Sequence, residues 1–212
     1  MTAVVAIVGE KLFDLILGET FHGALGKVME GRAKMAREEI VKQLQKGKLG
    51  AIADDDAAAA MFTYLRAAQE GAARINLRMM AEAFVNASRE PTFAPDEFRR
   101  QSIALASLSR DEVLLLAAFL RANRAAAPGP GEPNDGTKAM SVAWASILAD
   151  KSQFPPAFDA IALAAALART GWVVPGSGFG AITYYTTGAF DGVARLVDFE
   201  LARMELETPG KT

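Results

Sequence analysis

The chain has 212 residues, 51% of them hydrophobic, no cysteine, one histidine and a formal net charge of −2. Without cysteine there is no disulfide scaffold, no thiolate metal site and no cysteine nucleophile. The single histidine, His22, lies in Glu19-Thr20-Phe21-His22-Gly23-Ala24 beside no nucleophile motif, which argues against zinc hydrolysis and histidine acid–base chemistry.

Alanine supplies much of the apolar content, and alanine is the strongest helix former, so a mostly α protein is expected. Met1 to Val8 is apolar but has no cationic start and no small-residue cleavage signature, unlike a signal peptide. Glu10, Lys11, Asp14 and Glu19 interrupt the next apolar residues, so no membrane-spanning helix is expected there. Leu12, Phe13, Ile16 and Leu17 instead suit a short amphipathic helix within 3–17. It would dock on the core or lie at a membrane interface.

A longer helix is expected from about Phe21 to Lys46, with Leu25, Met29, Ala33, Ala36, Ile40 and Leu44 as its apolar stripe. Asp54-Asp55-Asp56 then stand where carboxylates cap a helix start and complement its positive end. That helix is expected to run to about Ala87, along a heptad-like seam from Met61 to Ala83 that packs on the preceding helix or on another chain. Arg66, Glu70 and Arg74 are spaced to pair with one another in solvent.

Pro91 and Pro95 break the pattern and mark the expected domain boundary. Beyond it, helices are expected over Pro95 to Ala106, Arg110 to about Arg124, Thr137 to Ala149 and Ala157 to Thr170. Ser109 and Glu112 form a capping box. The proline- and glycine-rich run 127–136 reads as a loop. Trp172 to Val174 and Ile182 to Tyr185 are strand-like. Pro175 to Gly180 would join them as a hairpin loop whose glycines supply positive φ. Thr186 or Thr187 caps a last helix ending near Glu207.

The order helix, strand, glycine turn, strand, helix is the outline of a winged-helix half. Yet between Ala157 and Val193 the only cation is Arg169, whereas a DNA-reading helix presents basic and amide side chains. The helix ahead of the wing is apolar almost all round, so it is expected to be buried. Gly176 to Gly180 resembles a nucleotide-binding glycine motif but joins two strands rather than a strand and a helix. Gly131 to Lys138 imitates a Walker A motif with its last two residues reversed. No catalytic, cofactor-binding or metal-binding residue is assigned. Trp172, Phe179, Tyr184 and Tyr185 are the candidates to anchor a partner; the alternative is that they form a small local core.

Pro91-Thr92-Phe93, then Leu108-Ser109 with Asp111-Glu112, then the run from Leu167 to Val173, and finally Tyr184-Tyr185-Thr186-Thr187 occur in an order that resembles the abortive-infection alpha (Abi-alpha) family of bacterial proteins. Thr186 stands where that family usually has leucine. The resemblance covers the second half of the chain. It implies a role in phage resistance and brings no catalytic residues.

The expected architecture is a helical hairpin region over 1–90, a helical domain with a winged-helix-like two-stranded hairpin over 91–207, and a tail over 208–212. The expected function is that of a non-enzymatic interaction protein of a bacterial cytoplasm, tied to phage defence and needing no cofactor. Its partner is an unidentified protein or a second copy of the chain. The alternatives are a transcription regulator binding DNA and a peripheral membrane effector using residues 1–46.

Overall fold

The computed structural model describes residues 24–46, 50, 52–91, 94–126, 136–149, 160–178 and 181–208. The 3–17 segment, His22, most of the proline-glycine run and Phe179 lie outside them. The described residues form nine α-helices and one two-stranded antiparallel sheet. This is the mostly α fold with a small β-hairpin that composition and patterning predicted. The chain divides into two compact units, one ending at Leu108 and one beginning at Ser109.

The first unit contains α1 (Ala24–Lys46), α2 (Asp54–Glu70), α3 (Arg74–Ala87) and α4 (Pro95–Ala106). In α1, Ala33, Ala36 and Ile40 of the expected stripe are buried, and the helix packs on α2 and α3. The helix expected from Asp54 to Ala87 is two helices. Gly71 takes φ 97° and ψ 24°, and its N–H and that of Ala72 close back onto the carbonyls of Ala67 and Ala68. A left-handed residue of this kind ends a helix, and glycine adopts it without a Cβ penalty.

Both halves of the heptad-like seam are nonetheless buried, through Met61, Leu65 and Ala68 before the break and Met79 and Ala83 after it. The break also redirects Arg74. It does not continue the Arg66–Glu70 series but binds Glu39 of α1 at 2.7 Å. At the start of α2, Ala53 is the N-cap and makes no side-chain capping bond. The aspartates that follow lie inside the first turn, not at the cap. The break between Pro91 and Pro95 falls within the first unit, because α4 packs its Phe98 and Leu105 side against α2 and α3.

The second unit contains α5 (Arg110–Ala126), α6 (Gly136–Ala149), α7 (Ala160–Leu167) with a following 3-10 turn (Ala168–Thr170), β1 (Val173–Gly178), β2 (Ala181–Thr186), α8 (Gly188–Leu196) and α9 (Phe199–Glu207). The expected capping box is present. Ser109 N–H donates to Glu112 Oε2 at 2.8 Å, and Glu112 N–H donates to Ser109 Oγ at 3.2 Å.

The strands are longer than expected and take in Pro175 and Gly176, which pair with Tyr184 and Thr183. Thr187 caps α8, accepting from Phe190 N–H, and its hydroxyl donates to the Gly171 carbonyl at 2.7 Å. The expected last helix is interrupted at Val197, which is extended and buried. Asp198 then accepts the Leu201 N–H and starts α9.

Candidate functional site

Of the four aromatic residues expected to anchor a partner, Trp172 and Tyr184 are buried in the core of the second unit, and Phe179 lies outside the described residues. Trp172 is 2% exposed and meets Phe199 edge to face at 6.5 Å. Tyr184 is 5% exposed and meets Trp144 edge to face at 5.2 Å, while Trp144 stacks on Phe119 at 5.6 Å. These contacts pin the β-hairpin to α6 and, through it, to α5. Tyr185 is half-buried and lies over Gly176, sharing a 2.7 Å hydrogen bond with the Thr183 hydroxyl.

The helix ahead of the wing is not buried all round. α7 buries Ala164 and Leu167 and exposes Ile161, Ala162, Ala165 and Ala166. Its surface is apolar, and Arg169 just beyond it binds Glu112. Burial opposes ionisation of Glu112. The Arg169 hydrogen bonds, the Ser109 N–H and the Arg169 charge outweigh it and hold the carboxyl below the usual glutamate range.

A different surface in the first unit has the shape of a binding site. α2 and α4 both rest on α3 and leave between them an open groove of about 1130 Å³. The α2 wall is formed by residues one helical turn apart: Ala58, Phe62 and Arg66, with Ala59 and Thr63 beside them. The α4 wall is Arg99, Ser102, Ile103 and Ala106, again a single helical face. Asn76 and Met80 of α3 line it as well, as do residues 71–73 of the turn after α2 and 107–108 after α4.

Phe62 is 53% exposed and Ile103 56% exposed, each more open to water than any other large hydrophobic of its helix. Asn76 and Ser102 are buried. Asn76 Nδ2 donates to the carbonyls of Ala106 at 3.0 Å and Leu108 at 2.8 Å, which fixes the amide orientation. That leaves Asn76 Oδ1 buried with no hydrogen-bond partner among the described residues, and Ser102 Oγ is in the same state. At the rim, Arg66 is paired with Glu70 at 2.7 Å. Arg99 is exposed and makes no ion pair among the described residues.

Sequence reasoning passed over this site, although a signal for it was present. Phe62 and Ile103 are large apolar residues out of phase with the buried stripes of their own helices. Phe62 follows Met61 of the seam, and Ile103 sits away from Phe98 and Leu105.

Among the described residues, no group of three His, Cys, Asp or Glu side chains could hold a metal, and no helix is long and apolar enough to cross a membrane. Comparison with protein-family models, with curated proteins and with solved structures returns no match.

Proposed function

We propose that this chain is a non-enzymatic binding protein of a bacterial cytoplasm whose working surface is the groove between α2 and α4. The observation that carries this reading is the placement of Phe62 and Ile103. Two large apolar side chains stand more than half exposed on the two walls of one concavity. Scattered surface hydrophobics need no explanation, but apolar residues converging on a concave site mark a place where something apolar binds. The titratable groups with shifted pKa values lie elsewhere. Burial and the neighbouring Glu39 raise that of Tyr64, whose hydroxyl donates to the Ala36 carbonyl at 2.7 Å. Glu112 and Arg169 are held in their ion pair.

The test is binding of anilinonaphthalene sulfonate, an anionic dye that fluoresces against apolar surface, to the folded full chain. A variant carrying Phe62→Ser and Ile103→Ser, which adds no charge to repel the dye, should keep its circular dichroism and melting temperature, since both side chains are exposed, and should lose the dye. Equal dye binding by the variant, or no binding by the parent, overturns the reading.

The setting we propose is defence against phage, supported by the resemblance over residues 91–187. Bacteria expressing the parent chain should resist plaque formation, and the groove variant should not. Equal protection by both would separate the groove from that role.

A further inference from the structure

We propose that the groove takes a fatty-acid-like ligand: an alkyl chain ending in a carboxylate and carrying a hydroxyl part-way along its length. This rests on the groove being the binding surface and names what enters it.

The body of the ligand follows from the walls. From Ala58 to Glu70 the α2 wall spans thirteen residues, about 18 Å at the helical rise, which has room for an extended chain of about twelve carbons. Phe62, Ile103 and Met80 offer that chain an apolar bed, and the alanines between them keep it open. The volume, about 1130 Å³, lies just above the usual range of small-molecule sites, so one such chain occupies part of the groove.

The carboxylate follows from Arg99. Its guanidinium stands at the rim without an ion pair among the described residues, while the other rim cation, Arg66, is bound to Glu70. A carboxylate is the natural partner of a guanidinium, and the charge-assisted bond is stronger than a neutral one. A cationic head would be repelled here, and an uncharged one would leave Arg99 to solvent.

The hydroxyl follows from the two orphaned atoms. Buried polar atoms are nearly always paired, yet Asn76 Oδ1 and Ser102 Oγ have no partner among the described residues. Asn76 is held at the C-terminal end of α4 by its bond to the Ala106 carbonyl. Ser102 is one turn earlier on the same helix, so the two groups flank one stretch of the groove. Asn76 Oδ1 can only accept, whereas the Ser102 hydroxyl can donate. One ligand hydroxyl between them donates to the first and accepts from the second. Both atoms are shut off from water in the empty groove, so a ligand hydroxyl reaches them only if neighbouring side chains move.

The experiment is displacement of anilinonaphthalene sulfonate from the full chain by dodecanol, dodecanoate and dodecanoate with a mid-chain hydroxyl, all below micelle-forming concentrations. Dodecanoate should bind about tenfold tighter than dodecanol, and the hydroxy acid about tenfold tighter again. Arg99→Gln should abolish the first step and Ser102→Ala the second, with dodecanol affinity unchanged in both. Ser102→Ala breaks no hydrogen bond of the empty protein, so its fold is retained.

If dodecanol binds as well as the acids, the carboxylate assignment is wrong. If the mid-chain hydroxyl adds nothing, the hydroxyl assignment is wrong. In both cases the groove remains the binding surface. If no alkyl compound displaces the dye and the dye ignores Phe62 and Ile103, the proposed function falls as well.

Discussion

Arg169 and Glu112 form a two-pronged ion pair, with Nη1 on Oε1 and Nη2 on Oε2, the latter at 3.0 Å. Glu112 Oε2 also accepts the Ser109 N–H, so one carboxylate closes the start of α5 and ties it to the turn after α7. The lone cation between Ala157 and Val193 is thereby directed into the protein. Glu112 keeps 5% of its side-chain exposure and Arg169 43%, which places the pair between buried and surface bridges in strength. Arg169→Met should destabilise the chain by about 2 kcal/mol, because it strands a buried carboxylate. Adding Glu112→Gln should recover part of that loss. Urea denaturation of the single and double variants measures the coupling. A loss within error of zero for Arg169→Met would show that the pair contributes nothing.

The same pair sets a pH dependence. The folded-state pKa of Glu112 is depressed, so its contribution is fully present above the unfolded glutamate value of about 4.3. It is lost as pH falls below that value and through the folded one. Stability should therefore decline on acidification more steeply in the parent than in Glu112→Gln. Parallel melting-temperature curves for the two proteins from neutral pH down to the acid transition would contradict this.

Local signals carried the sequence reading a long way. The Ser109 capping box, the Thr187 cap, the α1 stripe and the strand character around Val173 and Tyr184 depend on a few adjacent residues, and each is found in the fold. Readings that depended on three-dimensional context diverged. Periodicity ran through Gly71 because the residues on both sides share one seam, whereas the chain turns there. The winged-helix outline drew attention to Trp172 and Tyr184, but aromatics fill cores as readily as they line interfaces, and spacing does not separate the two. The groove depends on α2 and α4 meeting on α3, a tertiary relation that no local pattern contains. Its two orphaned polar atoms become recognisable only once burial is known.

Gly71 offers a measurement whose sign decides between one helix and two. In a continuous helix, Gly→Ala stabilises by about 0.5–1 kcal/mol. At φ 97° the same change forces a Cβ into the left-handed region, and that Cβ would lie 3.2 Å from the Arg32 guanidinium, which itself donates to the Gln69 carbonyl at 2.9 Å. Gly71→Ala should therefore destabilise by about 1–2 kcal/mol. Gly71→Asn should cost less, since asparagine tolerates this conformation. Thermal denaturation of both variants reads the difference, and a stabilised Gly71→Ala would restore the single helix.

Gly176 is required for a different reason, the close approach of a ring. A Cβ built there falls 1.9 Å from Tyr185 Cε2. The two residues are diagonal neighbours on one face of the hairpin, since Val174 pairs with Tyr185 and Gly176 with Thr183. The Thr183 hydroxyl donates to the Gly176 carbonyl at 3.1 Å and also bonds the Tyr185 hydroxyl, so the ring is held over the glycine from both ends. Gly176→Ala should push Tyr185 aside and break that arrangement, at about 1–3 kcal/mol in keeping with overpacked sites. In a Tyr185→Ala background the clash is gone, and the same glycine change should be nearly neutral. The double-mutant cycle should therefore show a coupling of at least about 1 kcal/mol. Strictly additive effects would mean that the ring does not cover the glycine in solution.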